Sequence, residues 1–316
     1  MRKLNVAVLF GGRSAERKVS IATGARVIAE LNRKKYSVIP IEIDSYGQFW
    51  KCRGVKTTNY PQLLKKTKVD IVFIALHGPY GEDGTIQGLL DLIGVPYTGS
   101  GVLASSLGMD KVASRKLFEM ARLKVPKYTI DEQKSPMKLG NLHWPLFVQP
   151  NNLGSAIGAS IAKDGNSLKA SLKLAHRHSN TVLVDEFIKG IEVTCAIIGN
   201  SRPTALPLVE IISKHDFFDY EAKYNPELVD EICPARIKKS LALKTKQAAL
   251  TAYKIVNCRA FGRVDMIISG NDIFVLEVNT IPGLTSVSLF PKAAKAAGIS
   301  YSRLLDHIIN YSLDAR

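Results

Sequence analysis

The first third of the chain contains three mainly apolar runs, and these constrain the fold more than any other feature of the sequence. They lie at residues 4–10, 37–44 and 70–76. Apolar runs of this length, separated by segments of helical periodicity, indicate strands of a parallel sheet that helices cover on both faces. Ligands of such sheets bind beyond the carboxyl ends of the strands. Two of these ends carry Gly11-Gly12 and His77-Gly78, so we expect a ligand site there.

The composition is that of a globular protein with a large core. Of 316 residues, 46% are apolar and 22% are charged, which excludes a disordered chain, a collagen-like repeat and a disulfide-stapled miniprotein. The length suits about two or three domains. The four cysteines form no CxxC pair, so neither a zinc knuckle nor a redox dithiol is predicted. Scattered thiols of this kind favour a reducing cytoplasm.

The lengths of the apolar runs also show whether the sequence predicts a membrane-spanning segment or a signal peptide. No run approaches the ~20 residues that are needed to span a bilayer, so we expect no membrane partner and no membrane segment. The first run could begin a signal peptide. It stops at Gly11-Gly12, however, and charged residues follow, which favours a buried first strand.

The charge is strongly basic. The net charge is +15, from 43 basic and 28 acidic residues. Such a balance can indicate nucleic-acid binding or an anionic small substrate. The basic residues are dispersed along the chain and are not interleaved with aromatic residues, which favours a basic solvated surface and no nucleic-acid partner. The nucleic-acid hypothesis would require salt-dependent retention of the protein on DNA.

A glycine-rich loop marks the central part of the chain. Residues 151–158, NNLGSAIG, lie between predicted strands at 145–149 and 159–162, with predicted helices near 113–120 and 167–176. Glycines let a backbone approach a ligand, and successive N–H groups can cradle a phosphate. The loop is neither a Walker A motif nor a Rossmann fingerprint, and many hairpin loops share its composition. Alone, it leaves phosphate binding and an ordinary hairpin open.

The last part of the chain is predicted to consist mainly of strands. They lie at 182–188, 192–198 and 204–212, and a helix is predicted at 236–257. Residues 213–235 are aromatic and charged without any periodicity. A long segment without predicted structure inside a compact domain is usually functional or mobile. We therefore expect this segment to move and to order when a ligand binds.

A hairpin across residues 269–272 is the most informative local feature. Arg263 and Asp265 share one face of its first strand, and Glu277 and Asn279 share one face of its second strand. A three-residue loop would place Asp265 directly opposite Glu277. Facing like charges destabilise a sheet unless a cation lies between them. Two carboxylates and one amide are oxygen ligands that suit Mg²⁺.

The alternative for this hairpin is a polar face that is open to solvent, where alternating polar residues are normal. Two observations argue against it. The polar face carries charges of both signs, and the opposite face is predicted to be a continuous apolar surface. That surface would consist of Val264, Met266, Ile268, Phe274, Leu276 and Val278. Both interpretations remain open from the hairpin alone.

Glu16 and His77 are candidate site residues at the carboxyl ends of the predicted parallel strands. Residues 9–16 indicate a strand, a glycine turn and a helix start, with Glu16 in the first helical turn. An acidic residue at that position can simply stabilise the helix dipole. His77 can equally have a structural role. The sequence leaves both roles open for each residue.

Together these segments resemble the D-alanine–D-alanine ligases of the ATP-grasp superfamily. The resemblance runs nearly end to end, and its motifs occur in the order of the family. They are VAVLFGGRSAERKVS, ALHGPYGEDGTIQGLLDLIGVPYTGSG, MDK, NNLGSAIG, VDEFIKG, DYEAKY, CPA, FGRVD and LEVNTIPGLTSVSLFP. Each motif is modest evidence, whereas the ordered set, with GEDGTIQG and EVNTIPG within it, is highly specific.

The resemblance implies an α/β fold of three domains. They are a Rossmann-like, substrate-binding parallel-sheet domain at 1–110, a small central α+β ATP-grasp subdomain at 111–192 and a C-terminal α+β catalytic domain at 193–316. ATP would lie between the last two domains and phosphorylate the carboxylate of one D-alanine. The amine of a second D-alanine would attack this acyl phosphate and give D-alanyl-D-alanine for peptidoglycan synthesis, and hence for the cell wall. A homodimer is also implied.

The resemblance further implies cofactors and a nucleotide site. ATP would be bound together with a pair of Mg²⁺ ions, for which Mn²⁺ could substitute. The implied metal ligands agree with the hairpin argument and are Asp265, Glu277 and Asn279. The residues implied at the ATP phosphates are Lys111, Gln149, Ser155 and Lys223. Those implied at adenine and ribose are Asp185, Glu186, Ile188 and Glu192.

The implied substrate site uses residues from both ends of the chain. Glu16 would bind the ammonium group of the first D-alanine, and His77 would lie near its carboxylate. Ser155 and Tyr224 would form a hydrogen-bonded cluster with Glu16 that closes mobile loops. The intact DYEAKY motif, which contains Tyr224, favours a dipeptide product over a depsipeptide.

The C-terminal part of the implied site would stabilise the negative charge that develops during the reaction and would bind the second D-alanine. Arg263 would stabilise negative charge on the transferred phosphoryl group and on the tetrahedral intermediate. Gly283 would donate a backbone N–H to the oxyanion. Ser288 and Leu289 would hold the carboxylate of the second D-alanine.

Three residues depart from the usual pattern of the family. Gln149 stands where a lysine is usual, Ala156 replaces a serine and Lys18 replaces a glutamate. A glutamine keeps a hydrogen-bond donor but loses the charge, which predicts weaker nucleotide binding. These changes suit a tuned enzyme, but they also suit an impaired paralogue that binds nucleotide or D-alanine without turnover. A ligase for another amino-acid pair is disfavoured by the retained residues Glu16, His77, Tyr224 and Ser288.

Overall fold

Three β-sheets organise the chain, and the computed structural model describes residues 2–133, 139–213 and 229–314 of it. The strands of the first sheet are β1 (Leu4–Gly11), β2 (Tyr36–Ile43), β3 (Trp50–Cys52), β4 (Val55–Thr57) and β5 (Ile71–Ile74). Their order is β4-β3-β2-β1-β5. Strand β1 pairs in parallel with β2 and β5, so the predicted parallel sheet is confirmed. The β3–β4 hairpin adds an antiparallel edge that was not predicted.

Four helices accompany the first sheet. They are α1 (Arg17–Glu30), α2 (Tyr60–Lys66), α3 (Thr85–Leu92) and α4 (Val102–Met109). The turn between β1 and α1 requires glycine, because Gly11 and Gly12 have φ values of +92° and +86°. A Cβ atom on Gly11 would also lie 2.5 Å from the carbonyl oxygen of Ile43. This turn sets Glu16 at the N-terminus of α1, beyond the carboxyl end of β1.

The second sheet is antiparallel and belongs to the central part of the chain. Its strands are β6 (Tyr128–Glu132), β7 (Leu146–Pro150), β8 (Ser160–Ala162) and β9 (Thr181–Glu186), in the order β6-β9-β7-β8. Helices α5 (Lys111–Met120) and α6 (Gly165–Ala175) belong to the same part. One face of the sheet packs against Leu168 of α6 and contributes Leu146, Val148, Ala162, Val182 and Val184 to a buried core. The alternate residues of β7 and β9 face the opposite way.

The third sheet carries the predicted hairpin. Its strands are β10 (Ile191–Ile198), β11 (Thr204–Ala205), β12 (Val209–Ser213), β13 (Val229–Ile232), β14 (Phe261–Ser269) and β15 (Asp272–Asn279). The order is β13-β12-β10-β14-β15, and β11 pairs with β10. Helix α7 (Lys239–Ile255) packs against β14 and β15.

Two predictions for this region are wrong. The single strand predicted at 204–212 is divided into β11 and β12, and Pro207, between them, has no N–H group for a strand ladder. The segment predicted to lack structure, 213–235, contains β13, which pairs with β12. Residues 214–228 of that segment lie outside the described residues.

The end of the chain returns to the first sheet. Helices α8 (Leu289–Ala296) and α9 (Tyr301–Asp314) supply Phe290, Leu304 and Ile308 to the core that contains Val8 and Phe73. Helix α8 also contacts β10 and β12 and so ties the first sheet to the third. In the described ranges, no helix is both long enough and apolar enough to cross a membrane.

The β14–β15 hairpin has a bulge that corrects its register. Its turn has two residues, because Ser269 pairs with Asp272, so the three-residue loop that was the condition for the facing of Asp265 and Glu277 does not occur. Met266 faces Val275 whereas Asp265 faces Glu277, so Leu276 is an extra residue between the two pairs. The bulge restores the predicted facing of Asp265 and Glu277.

The same bulge changes which apolar residues reach the core. Val264, Met266, Ile268, Val275 and Val278 are buried beneath the sheet. Phe274 and Leu276 were predicted to join them, but among the described residues neither belongs to this core, and Leu276 lines a cavity on the opposite side. A one-residue shift reverses the faces of a strand, which explains the error.

Gly190, between the second and third sheets, allows a close approach of two backbones. A Cβ atom there would lie 2.3 Å from the carbonyl oxygen of Ile268. We expect Gly190→Ala to lower the free energy of unfolding by about 1–3 kcal/mol, because the backbone must shift to admit the methyl group. Urea denaturation would measure this change. Gly165→Ala is the matched control, since its Cβ meets nothing within 4 Å. Equal stabilities of the two variants would contradict the prediction.

Candidate active site

A cavity of about 760 Å³ lies between the second and third sheets. The glycine-rich loop and the β14–β15 hairpin contribute to its walls. Its apolar lining includes Phe147, Ile161, Ile188, Ile267 and Leu276. Its charged lining includes Lys111, Asp185, Glu186, Glu192, Asp265 and Glu277. A cavity of this size that combines apolar walls with charges of both signs suits a ligand with an aromatic part and an ionised part.

The polar face of the β14–β15 hairpin reaches this cavity through Asp265 and Glu277. Arg263 donates two hydrogen bonds to Asp265, from Nε to Oδ1 at 2.8 Å and from Nη2 to Oδ2 at 2.7 Å. Thr194 Oγ1 on β10 donates to Asp265 Oδ1 at 2.5 Å. Burial alone would lower the pKa of Arg263, but the carboxylates of Asp265 and Glu277 outweigh it and raise that pKa. Arg263 is therefore a fixed positive charge at every relevant pH.

Lys111 brings a second positive charge to the hairpin from the first turn of α5. Its Nζ lies 3.2 Å from Glu277 Oε2 and donates to the carbonyl oxygen of Leu153 at 2.6 Å. The lysine is buried, and Leu153 belongs to the glycine-rich loop. Lys111 thus connects this loop to the acidic face of the hairpin.

The donor set of the hairpin fits a hard cation. Asp265 and Glu277 face each other across the two strands, and Asn279 lies opposite Arg263. Asn279 Oδ1 accepts from the N–H of Ile281 at 3.1 Å, and a carbonyl oxygen has a second lone pair for a ligand. Among the described residues, no three His, Cys, Asp or Glu side chains are grouped to hold a metal ion. A cation here would therefore need the amide and oxygens from a substrate, which is the mode that Mg²⁺ prefers.

Asp185 on β9 is the centre of a buried polar cluster in the same cavity. Arg115 forms an ion pair with both of its oxygens, with Nη2 at 3.0 Å from Oδ2. Gln149 Nε2 on β7 donates to Oδ2 at 2.8 Å. Burial raises the pKa of Asp185, and the Arg115 charge opposes that shift. The carboxylate that was predicted at adenine and ribose is therefore held by two side chains of the protein.

Arg115 was not among the predicted site residues. It is 1% exposed and lies four residues after Lys111 in α5, on the same face of that helix. The spacing from Lys111 was the available signal. Its partner, Asp185, lies 70 residues away along the chain, and no periodicity connects the two.

The remaining residues predicted at the nucleotide also line the cavity. Ile188 and Glu192 do so on either side of Gly190. Glu186 Oε1 accepts from the backbone N–H of His143 at 3.0 Å and lies 2.7 Å from His143 Nδ1. Desolvation is the largest single effect on the pKa of Glu186 and would raise it, but the hydrogen bonds from His143 and the charge of Lys127 together outweigh it and lower that pKa. Glu186 is thus an ionised residue at the rim.

Glu16 links the first sheet to the glycine-rich loop. The Glu16 carboxylate accepts a hydrogen bond from Ser155 Oγ, as the predicted cluster requires. Glu16 is buried, with 7% of its surface exposed. Ser155 and Ala156 have φ values of 53° and 54°. Such values are uncommon for residues with a side chain and cluster at functional sites. The third predicted member of the cluster, Tyr224, lies outside the described residues, and so does Lys223.

His77 is buried beside Glu16 and has two polar partners. Its Nε2 lies 2.9 Å from Thr23 Oγ1, and its Nδ1 lies 3.1 Å from Glu82 Oε1. Burial raises the pKa of Glu82, the hydrogen bond from His77 opposes this, and the nearby Glu16 raises it further. Glu82 was not predicted, although its place in GEDGTIQG offered a signal. The loop after His77 is tight, since a Cβ atom on Gly78 would lie 2.5 Å from Glu16 Oε2.

The predicted site for the second substrate precedes α8. Ser288 Oγ accepts from the N–H of Thr285 at 3.0 Å and lies 2.8 Å from Thr285 Oγ1. Gly283 is close to this group, because a Cβ atom on it would lie 2.9 Å from Ser288 Oγ. Leu289 is the first residue of α8. The three predicted residues are thus neighbours on one turn.

Comparison with known proteins identifies the family. A family model described as the D-ala D-ala ligase C-terminus matches residues 116–310, and the model of the N-terminus matches residues 5–62 and 54–100. The chain belongs to the D-alanine–D-alanine ligase family. This confirms the resemblance that the sequence motifs indicated, together with the α/β ATP-grasp fold.

Relatives in this family match nearly the whole chain. A D-alanine–D-alanine ligase of Desulforudis audaxviator is 44% identical over 309 residues, which cover 96% of this chain and 97% of the relative. That of Carboxydothermus hydrogenoformans is 42% identical, with 99% of each chain covered.

Solved structures of family members agree with the fold. A D-alanine–D-alanine ligase of Bacillus anthracis complexed with ATP has a TM-score of 0.83 and 34% identity, with 99% of this chain and 98% of the other covered. The VanG D-Ala:D-Ser ligase of Enterococcus faecalis has a TM-score of 0.85 and 33% identity, with coverages of 98% and 100%. These two similar enzymes are thus named for different second substrates, D-alanine and D-serine.

Proposed function

We propose that this enzyme uses ATP to join two molecules of D-alanine through a D-alanyl phosphate intermediate. The observation that carries the proposal is the charged hairpin at the wall of the cavity. There Asp265 and Glu277 face each other, beside Arg263 and Lys111. A site that must bring a polyphosphate and two amino-acid carboxylates together needs this combination of fixed positive charges and oxygen ligands.

The nucleotide occupies the cavity between the second and third sheets. The apolar walls from Phe147, Ile161 and Leu276 take the purine ring, and Lys111 with the N–H groups of the glycine-rich loop takes the phosphates. Asp265, Glu277 and Asn279 would hold Mg²⁺, which, when bound, neutralises phosphate charge. Lys223 is assigned to the phosphates by the family resemblance alone.

The first D-alanine lies beyond the carboxyl ends of β1 and β5. Glu16 binds its ammonium group, because a buried carboxylate at a helix start is a ready ionic partner. His77, which Glu82 orients, lies near its carboxylate. The Ser155–Glu16 hydrogen bond couples closure of the glycine-rich loop to this substrate, and Tyr224 is proposed to join that cluster.

The second D-alanine binds at the start of α8. Ser288 and Leu289 hold its carboxylate, and its amine attacks the carbonyl carbon of the acyl phosphate. The carbonyl oxygen becomes negatively charged in the tetrahedral intermediate, where the guanidinium of Arg263 and the N–H of Gly283 stabilise it. Phosphate then leaves as the carbonyl re-forms, and the peptide bond is complete. The second D-alanine attacks as its free amine, so its ammonium group first gives up one proton to water. The nitrogen passes a second proton to the departing phosphate as the amide forms.

The wider role follows from the product. We propose that the enzyme acts in the cytoplasm as a homodimer and supplies D-alanyl-D-alanine for peptidoglycan, and thus for cell-wall formation and cell shape. The impaired paralogue that Gln149 and Ala156 suggested has no support in the described part of the site. There the pairs Arg263–Asp265, Lys111–Glu277 and Ser155–Glu16 are all formed.

Phosphate release with product identification by mass tests the proposal. Purified enzyme with ATP, Mg²⁺ and D-alanine should release one phosphate for each D-alanyl-D-alanine, and a chelator should abolish this. L-alanine and omission of the amino acid are the controls, and a mixture of D-alanine and D-serine reports the second-substrate preference. D-alanyl-D-serine as the main product, or no D-alanine-dependent phosphate from folded protein, would overturn the proposal.

A further inference from the structure

The polar cluster around Asp185 lies on the cavity side of the second sheet. Phe147 on β7 pairs directly with Asp185 on β9 and with Ile161 on β8, so these three side chains share a face. Gln149 is two residues beyond Phe147 and lies on that same face. All four line the cavity. The apolar wall for a purine and the Gln149 amide are therefore adjacent parts of one surface.

The Asp185 carboxylate fixes the orientation of the Gln149 amide. An ionised carboxylate only accepts hydrogen bonds, so the amide nitrogen must face it, as the 2.8 Å bond from Nε2 to Oδ2 shows. A flipped amide would set Oε1 against the carboxylate and bring two acceptors together. Arg115 donates hydrogen bonds to both oxygens, which favours the ionised carboxylate against the effect of burial and fixes its position.

One side of the Gln149 amide remains for a ligand. An amide has two N–H groups and one carbonyl oxygen, and Asp185 uses one N–H. Among the described residues, the Gln149 side chain makes no other hydrogen bond. Its Oε1 and the second N–H thus form a donor–acceptor edge in the cavity wall.

We propose that this edge of Gln149 reads the base of the nucleotide and selects adenine, with Asp185 and Arg115 as positioning residues. The inference rests on the proposed function, since it takes the cavity to be the nucleotide site. The 6-amino group of adenine donates to Oε1, and N7 accepts from the remaining N–H. This bidentate match is the usual pairing of glutamine with adenine. Hypoxanthine and guanine instead carry a carbonyl oxygen at position 6. That oxygen would face Oε1, and because both atoms only accept hydrogen bonds, the contact would be unfavourable.

The proposal also gives a reason for glutamine at this position. A lysine there would supply charge for the phosphates, but it has three donors and no acceptor. Such a lysine could donate a hydrogen bond to Asp185, but without an acceptor it could not distinguish the 6-amino group of adenine from the 6-carbonyl oxygen of hypoxanthine. Compared with a lysine, the glutamine attracts the phosphates less strongly but can select the base. Arg115 supplies the positive charge that pairs with Asp185.

Calorimetric binding of ADP and IDP to the full chain tests the proposal without any amino acid present. We expect the native enzyme to prefer ADP by roughly five- to a hundredfold, the range for one bidentate base contact. Gln149→Met, similar in length but apolar, should bring the ratio close to one. Gln247→Met, at an exposed glutamine on α7, is the matched control and should keep the native ratio. The proposal would be overturned if the native enzyme bound ADP and IDP with nearly equal affinity. It would also be overturned if Gln149→Met bound both nucleotides more weakly by the same factor, so that the ratio of the two affinities stayed unchanged.

Two further variants separate base reading from charge and from folding. Gln149→Lys should bind ADP at least as tightly as the native enzyme but lose the preference over IDP. Asp185→Asn should also lose the preference, because an amide at 185 lets Gln149 flip. A retained preference in Gln149→Lys would overturn base reading, and a retained preference in Asp185→Asn would overturn the positioning role. Since dipeptide formation is measured separately, an ADP preference without ligation would contradict only the proposed function.

Discussion

Replacement of Arg263 by methionine is expected to lower turnover by about a hundred- to a thousandfold, the usual loss when one preorganised charge-stabilising donor is removed. Arg263 is fixed by two hydrogen bonds to Asp265 and has its pKa raised by the surrounding carboxylates, so it is charged and oriented before substrate binds. Methionine keeps the length of the side chain but has no charge and no donor. The loss should fall on kcat, because the negative charge that Arg263 stabilises develops only during reaction.

Steady-state kinetics with matched variants would check this result. Lys124→Met removes another ion pair of the same hairpin, but Lys124 and Asp272 are 57% and 50% exposed, so it should change kcat by less than about twofold. Arg263→Lys keeps the charge and loses the two-pronged contact with Asp265, and its kcat should lie between those of the native enzyme and Arg263→Met. A near-native kcat in Arg263→Met would exclude Arg263 from the chemical step.

The hairpin shows both the strength and the limit of sequence reasoning. Alternation of side chains was enough to place Arg263 with Asp265 and Glu277 with Asn279, because it depends only on the local backbone. Asp265 and Glu277 do face each other, although the three-residue loop on which that facing was conditional does not occur, since the bulge at Leu276 compensates for the shorter turn. Whether a strand bulges depends on packing from other elements, which local periodicity does not contain.

Contacts between segments that are far apart in the chain were the second feature that sequence reasoning could not predict. The three parallel strands of the first sheet were predicted because each is mainly apolar by itself. The Arg115–Asp185 pair and the packing of α8 and α9 on the first sheet join segments far apart in the chain, and no motif marks them. The family resemblance supplied the roles of the site residues, and for Lys223 and Tyr224 these roles remain predictions. Gln149 is instructive, because the resemblance identified it only as a missing charge, and the base-reading role that we propose for it came from its contact with Asp185.

Replacement of Glu16 by glutamine is expected to lower kcat/KM for D-alanine by roughly thirty- to a thousandfold, as when one partner of a buried ion pair is lost. Glu16 is buried at the start of α1, where a carboxylate can meet an ammonium group with little competition from water. Glutamine has the same shape, and its carbonyl oxygen can still accept the hydrogen bond from Ser155. The variant therefore removes the charge but keeps the contact with the glycine-rich loop.

Comparison with two further variants separates substrate binding from loop closure. Ser155→Ala keeps the Glu16 charge and removes the loop contact, so its loss in kcat/KM should be smaller than that of Glu16→Gln. Glu30→Gln, at the exposed end of the same helix, should have native kinetics. The affinity for ADP should be unchanged in Glu16→Gln, because the proposed ammonium site lies on the first sheet and the proposed nucleotide cavity lies between the other two. If ADP affinity instead fell in parallel with kcat/KM, Glu16 would act by supporting the loop, and the ammonium of D-alanine would need another partner.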